Sequence, residues 1–511
     1  MNTTLSSSSV VPSPWSRAPR RFTVRLAAMV AAMAGLAGCM VGPDYVRPEV
    51  RANEGYAHQS MLQTRETTRP APALDAWWTG FDDPELSRII GRVMTQNLDL
   101  AAAIARVDQA RAAARAAGAQ LAPQGSLDAQ AAHLYQSTQS PLGELASHTP
   151  GYKRTQTLEN IGVGASWELD LAGGLHRGAE AAQAEAEAAE ANQYGVRVMV
   201  AAEAADSYFQ ARGAQERLRL AQQQIDTEAQ LVELVKVRLA GGLATSRELA
   251  RAQALLLQAR ATLPPLRIVL AQQLNRLDVL MGASPGTYAD ELQAPGATFT
   301  VPAVGTEGGP QMLLRRRPDV IAAERKLAAS NARIGVAVAE YYPKVSLGAL
   351  LGFESLHSGS LFSSAAFQPQ AMLGLHWRLF DFGRVDAEVA QAKGVNAEAL
   401  AQYRQSMLHA TEDVENAIVS LAELESQHRE LTDEVAAHQQ ARDAAQDAYK
   451  GGAVSLIEVL DEDRQLLGSR DQLARVHADD ARAAVAMFRA LGGGWAGSAD
   501  DKTEAVATVQ R

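Results

Sequence analysis

The chain has 511 residues, a formal net charge of −10 and an apolar fraction of 47%. Proteins that grip nucleic acid through its phosphates need a basic footprint, so nucleic-acid binding is excluded. A single cysteine rules out an intramolecular disulfide, and the length suits two or three ordinary domains or one unit built twice.

At the N-terminus, Arg17, Arg20, Arg21 and Arg25 precede an apolar run from Leu26 to Ala37. The run is too short to span a bilayer as a helix and has the length of a signal-peptide core. It ends in Leu36-Ala37-Gly38-Cys39, which resembles the bacterial lipobox. Residues 1–38 are then a signal peptide, and Cys39 is the lipidated first residue of the mature chain. Met40, standing where an aspartate would hold a lipoprotein at the inner membrane, favours sorting to the outer membrane. Residues 39–85 read as a lipid-anchored extended segment, polar and proline-rich without a period.

A helical pattern starts at Trp77-Trp78 and Phe81-Asp82-Asp83-Pro84-Glu85-Leu86 and runs to about Ala119, with Asp82 or Asp83 as N-cap and Pro84 just inside. After Pro123 the period becomes two: Ile161, Val163, Ala165, Trp167 and Leu169 alternate with Gly162, Gly164, Ser166 and Glu168. That alternation has the length of a tilted membrane strand. A proline-free stretch from about Arg177 to Leu239 predicts a helix approaching 90 Å, with Leu218, Ala221, Ile225, Glu228, Val232, Val235 and Leu239 on a three-four seam. It stops at Gly241-Gly242 and turns at Thr245 into a return helix, where Pro264-Pro265 predicts a break.

The same series then recurs. Asp99–Pro123 and Asp319–Pro343 match at an offset of 220, and Trp167/Trp377, Gly173/Gly383, Gly242/Gly452, Glu248/Glu458 and Gly282/Gly492 match at 210. A tandem duplication follows. The first repeat covers 86–282, with a short helix, a hairpin at 124–172, a long helix at 177–239 and a return helix at 246–281. After a loop-like linker at 283–316, the second covers 317–492, with a helix at 318–342, a hairpin at 344–382, a long helix at 386–449 and a return helix at 455–491. Residues 493–511 form a polar tail. One hairpin per repeat gives four strands, too few to close a membrane barrel, so either the sheet is soluble or several chains share one barrel.

Several motifs together settle the resemblance: Cys39 with Gly42-Pro43-Asp44-Tyr45, Trp77-Trp78 with Phe81-Asp82-Asp83-Pro84-Glu85-Leu86, and Leu98-Asp99-Leu100. Further on come Arg316-Arg317-Pro318-Asp319-Val320, Tyr342-Pro343, Trp377 to Arg384 and Ala490-Leu491-Gly492-Gly493-Gly494-Trp495. From Cys39 to Trp495 the chain resembles the outer membrane factors of tripartite efflux pumps, in the lipidated branch that works with resistance-nodulation-division transporters. The resemblance implies an α+β membrane protein whose duplicated helix/β-hairpin/long-helix repeat forms, as a homotrimer, a 12-stranded outer-membrane β-barrel continued by a periplasmic α-helical barrel.

It also implies a location, partners and a site. The channel lies in the cell outer membrane, lipid-anchored and extending into the periplasm, and meets a periplasmic adaptor protein and an inner-membrane transporter. No cofactor is implied beyond the covalent lipid on Cys39. Asp461 matches the family's gating aspartate and Tyr449 a constriction tyrosine. The residue 210 before Asp461 is Arg251, which is expected beside the aspartate, holding the tip shut. Arg238, Leu239, Gly242, Leu243, Thr245, Gly452 and Ser455 are the expected adaptor-contacting tips. On residue types alone, Asp461, Glu462 and Asp463 equally suit a solvated acidic face.

Two other functions compete. The histidines are dispersed and no HExxH, GxSxG or Walker-type loop is present, so neither an enzyme nor a metal site is expected. A lipid-anchored coiled-coil strut explains the seams but not the alternating strands. Within the channel reading, a type I secretion conduit is the alternative, disfavoured by the lipobox.

Overall fold

The structure is a computed structural model that describes residues 40–49, 55–63, 70–293, 299–305 and 309–496. The signal peptide, Cys39 and most of the polar tail lie outside the described residues. In chain order the longer elements are α1 (Pro84–Gln96), α2 (Leu98–Ala119), β1 (Gln124–Tyr135), β2 (Thr155–Leu169), α3 (Gly174–Ala240), α4 (Ser246–Ala261) and α5 (Leu263–Leu280). There follow α6 (Pro318–Ala339), β3 (Lys344–Ser355), β4 (Phe367–His376), α7 (Arg384–Lys450) and α8 (Leu456–Ala490).

Some boundaries differ from the sequence reading for identifiable reasons. The segment 39–85 is not extended throughout: it holds a helical turn at Gln59–Gln63 and a 3-10 helix at Leu74–Phe81, which buries Trp77 and Phe81. The helical pattern up to Ala119 breaks at Asn97. There the buried side chain accepts from Leu100 N at 2.9 Å and donates to Leu280 O at 2.9 Å, so it caps α2 and ties it to α5. The first hairpin connection contains a short helix, Pro141–Ser147. The linker 283–316 is not all loop, carrying helices at Ala289–Gln293 and Gly309–Arg316. Helices α4 and α5 separate at Thr262, with Pro264 and Pro265 in the first turn of α5, where a missing N–H costs least.

The chain divides into two compact units. The first comprises residues up to Tyr45, Arg115–Ala181 and Asn331–Gly394. Its centre is one antiparallel sheet in the order β1-β2-β3-β4. Register places Leu127 opposite Val163, Val163 opposite Leu351 and Leu347 opposite Leu373, so Leu, Val, Ile and Phe share one face with Ala165, Trp167 and Ala349. Ser126, Asp128, Gly164, Glu168, Ser346, Gly348, Gln370 and His376 lie on the other. The apolar face is itself exposed: Val163, Leu351, Leu373 and Leu375 are each more than half exposed. A soluble sheet covers such a face. The duplication reappears in the bonds, since Trp167 Nε1 donates to Leu121 O at 2.9 Å and Trp377 Nε1 to Tyr341 O at 3.0 Å. Each tryptophan clips a strand end to the turn that follows a helix.

The N-terminal strap Met40–Tyr45 belongs to this unit. Gly42, at φ +90°, packs so closely on Gly335 that a Cβ on it would come within 2.4 Å of the Gly335 Cα, while a Cβ on Gly335 would meet the Arg177 side chain at 2.7 Å. The fully buried Arg177 side chain donates to Asp44 at 2.6 Å, Glu180 at 2.8 Å and Val41 O at 3.2 Å. Its guanidinium is thus satisfied by the strap, and charge-assisted bonds of this kind hold the strap in place.

The second unit comprises Val46–Ala114, Ala182–Ser330 and Val395–Arg511. Its core gathers Trp77, Phe81, Leu86, Ile89, Ile90, Tyr208, Phe209, Leu277 and Phe488. Arg317, which opens the second repeat, is mostly buried and bonds Asp319 at 2.7 Å, Asp413 at 2.9 Å and Ala490 O at 3.2 Å. That residue is a structural joint between α6, α7 and α8.

The same unit contains an acid-sensitive histidine, His477. The His477 ring stacks on Phe299 at 4.4 Å and lies 5.3 Å from the His428 ring. Burial first, then the neighbouring His428, hold its pKa below the ordinary 6.5, against the pull of Asp480 and Glu216. Below that ordinary value the unfolded chain takes up a proton that the folded site resists, so stability falls as pH drops through 6.5. The temperature at which the assembled protein dissociates is expected to fall between pH 7.5 and 5.5, and His477→Gln to flatten that dependence. An equal slope in both proteins would refute the assignment.

Candidate functional site

The two helix turns of the second unit, α3 to α4 and α7 to α8, are built alike. Leu243 N donates to Arg238 O at 2.8 Å and Ala453 N to Ala448 O at 2.9 Å. These close the same helix-ending loop around Gly242 and Gly452, whose φ values are +71° and +76°. Thr245 then begins α4 with a capping box: Glu248 N donates to Thr245 Oγ1 at 3.3 Å and Thr245 N to Glu248 Oε2 at 2.6 Å. The backbone bond from Thr245 holds the Glu248 carboxyl below the usual carboxylate range. Glu458 reaches back to Ser455 in the same way at the head of α8.

Between the two turns lies a cleft of about 510 Å³. Apolar Val235, Leu243, Leu255, Leu456 and Leu460 line it together with Arg238, Arg251, Tyr449 and Asp461. The guanidinium of Arg238 sits 5.4 Å from the centre of the Tyr449 ring. Arg251 Nη2 is 3.7 Å from Asp461 Oδ1, and Arg464 Nη2 approaches the same oxygen at 3.5 Å. The three consecutive acids diverge. Glu462 faces His438 at 3.6 Å, Asp463 bonds Arg442 at 2.9 Å, and Asp461 alone lines the cleft.

Of the residues singled out in the sequence, Arg238, Leu243, Arg251, Tyr449, Gly452, Ser455 and Asp461 meet around this cleft. Leu239, Gly242 and Thr245 form the turn beside it without lining it. Cys39 lies outside the described residues. Leu255, Leu456 and Leu460 were missed, although Leu456 and Leu460 stand four apart on α8 and Leu255 three beyond Ala252 on α4. Val235 and Ala252 of the cleft lining join Leu231 and Val232 in a small apolar cluster. Glu228, on the same seam, is buried, and burial, aided by the charge of Asp463, pushes its carboxyl above the usual range. Among the described residues no group of three or more His, Cys, Asp or Glu converges on a metal site.

The family model for outer membrane efflux protein matches residues 89–283 and 309–493, most of the chain and both repeats. The chain belongs to the outer membrane efflux protein family. It is 34% identical to the pyoverdine export outer membrane protein OpmQ of Pseudomonas putida over 82% of this chain and 88% of that one. It is 27% identical to the cation efflux system protein CusC of Escherichia coli O6:H1 over 90% and 96%. Among solved structures, the outer-membrane channel OprN superposes with a TM-score of 0.80 at 31% identity, covering 89% of this chain and all of that one. The protein is therefore an outer-membrane efflux channel that extends into the periplasm, the exit duct of a tripartite pump. Its four strands are one third of a trimeric 12-stranded barrel, which resolves the open edges of β1 and β4 and the exposed apolar face.

Proposed function

We propose that the cleft between the helix turns is the periplasmic gate of this duct, with Asp461, Arg251 and Tyr449 as its parts. In a trimer three Asp461 carboxylates face one axis, where like charges repel and an opening is favoured. A cation beside each carboxylate offsets that repulsion, and the single observation that supports this role is the approach of Arg251 to Asp461 at 3.7 Å. Arg464 is the second such cation, and Arg238 over Tyr449 stiffens the neighbouring turn.

Both members of the Arg251–Asp461 pair are about half exposed, so one pair contributes only about 0.2–1 kcal/mol. Three pairs acting on one concerted gate shift the open-to-closed ratio roughly threefold to a hundredfold. Arg251→Ala is expected to raise single-channel open probability in planar bilayers, and antibiotic leakage through the outer membrane, by a factor in that range. Unchanged conductance and leakage would remove Arg251 from the gate.

The rest of the assignment follows from the same reading. Arg238, Leu239, Gly242, Leu243, Thr245, Gly452 and Ser455 present the turn surface that a periplasmic adaptor engages, and the transporter behind it belongs to the resistance-nodulation-division class. Cys39 carries the lipid. The cargo is drugs or other small toxic compounds, with selection exercised by the transporter rather than by this duct.

A further inference from the structure

Helices α3 and α8, one from each repeat, meet in antiparallel register. Arg482 Nε donates to Asp206 Oδ1 at 2.7 Å, and Arg217 Nε to Asp471 Oδ1 at 2.8 Å. Between these levels Gly213 lies so close to α8 that a Cβ on it would come within 2.6 Å of the Ala478 Cβ. Toward the turns, Leu456 and Leu460 pack on the cluster that holds Val232 and Val235. Opposite charges, close backbone approach or apolar side chains close the seam at each of these levels.

Glu228 interrupts this series. Continuing the register from Arg217 and Asp471 toward Val235 brings it to Asp463, whose charge acts on it. Glu228 is 3% exposed, and among the described residues its Oε2 has no hydrogen-bond partner. Asp463 is already engaged: it accepts from Arg442 Nε of α7 at 2.9 Å, and Arg442 also bonds Asp443 at 3.1 Å. The neighbouring acids of α8 turn elsewhere, Glu462 toward His438 of α7 and Asp461 into the cleft. From α4 the apolar cluster receives Leu249, Ala252 and Leu256, while Arg251 and Arg260 of that helix are exposed. Among the described residues no cation pairs with Glu228.

A buried carboxylate that faces a second carboxylate without a cation of its own is unfavourable, and a bound proton relieves it. Burial first, then the charge of Asp463, accordingly raises the Glu228 carboxyl above its ordinary 4.5. Separation of α3 from α8 admits water, lets the carboxyl ionise near its ordinary value and releases the proton to the periplasm. The closed seam is thus fully supported below pH 4.5 and loses that support as pH rises through the raised value, so rising pH favours the open form. We propose that Glu228 is a proton-binding positioning residue of the duct: uncharged, it lets α3 and α8 close against each other, and as a carboxylate it drives them apart and frees the gate. Glu228 acts through the proposed gate, and so depends on that reading of the cleft, because Val235 and Leu460 of the same seam line it.

The test records open probability in planar bilayers from pH 4.5 to 8.5 for trimers of the unmodified protein and of Glu228→Gln. The unmodified protein is expected to gain at least about tenfold more over this range than the variant, since one pKa unit in one protomer is worth tenfold. Other carboxylates and histidines titrate alike in both proteins, so the difference belongs to Glu228. Glu228→Met, of similar length and uncharged, repeats the comparison without a buried amide and should give the same flattened profile. Asp463→Asn removes the like charge and releases Arg442, so the midpoint of the rise should move to lower pH. Superposable profiles for the unmodified protein and both uncharged variants, or an unmoved midpoint in Asp463→Asn, would overturn the proposal. Uncharged variants that stand open at every pH would also overturn it, by showing that the carboxylate itself holds the seam. Arg251→Ala in the same bilayers keeps the two readings apart. Raised open probability there, with superposable Glu228 profiles, removes Glu228 alone; flattened profiles with a silent Arg251→Ala keep Glu228 and remove the cleft pair from the gate.

Discussion

Trp77→Ala is expected to destabilise the protein by about 3–5 kcal/mol, the cost of truncating a fully buried tryptophan. Trp77 is 1% exposed and stacks on Phe488 with centroids 5.3 Å apart and planes 10° from parallel. It also meets Phe81 edge-on at 6.1 Å, and Phe81 leans on Phe209 at 4.8 Å. The ring thus links the segment before α1 to α3 and α8, elements hundreds of residues apart in the chain. Gly493 packs so closely that a Cβ there would come within 2.8 Å of the indole, which leaves the surroundings little room to collapse into a cavity. Loss of the trimer at a markedly lower temperature checks the expectation, and Trp77→Phe should recover much of the difference. The neighbouring Trp78, only half-buried, supplies the comparison: its alanine variant should cost less. Equal stabilities for Trp77→Ala and the parent would mean that this stack does not hold the segment.

What the sequence revealed and what it hid divide along the range of the interactions. The repeat, the long helices and the glycine turns were legible because each is decided by residues close in sequence. Gly242 and Gly452 end helices in the left-handed region, and Thr245 with Glu248 caps the next one using bonds that span three residues. The alternating strands were legible for the same reason, and four strands left over demanded partners. The burial of Trp77 and Phe81 was concealed because their partners Phe209 and Phe488 lie far along the chain. Asn97 broke a helix that its local pattern continued, since the decisive bond goes to Leu280 O. At the cleft, Asp461 was chosen from three adjacent acids by resemblance, and Arg251 by the repeat offset. The structure separates the three acids physically, because Glu462 faces His438 and Asp463 bonds Arg442, while Asp461 alone lines the cleft.

The second large effect concerns Asp83, which is 2% exposed and serves two elements at once. One carboxylate oxygen caps α1, accepting from Glu85 N at 2.9 Å and Leu86 N at 3.2 Å. The other accepts from Tyr208 Oη on α3 at 2.6 Å, and burial together with this bond raises the phenol pKa well above its ordinary value. Removing a cap costs about 1 kcal/mol, and leaving a buried hydroxyl without its acceptor about 1–3 kcal/mol more. Asp83→Ala should therefore cost about 2–4 kcal/mol, read as a lowered guanidinium midpoint for loss of helical circular dichroism. The two components separate in a double-mutant cycle. Tyr208→Phe removes the hydroxyl that Asp83→Ala orphans, so the double variant should be less destabilised than the sum of the singles, and what remains is the cap. Strict additivity would mean that Tyr208 finds another acceptor, and Glu85 Oε2, at 3.4 Å from the same hydroxyl, is the one within reach.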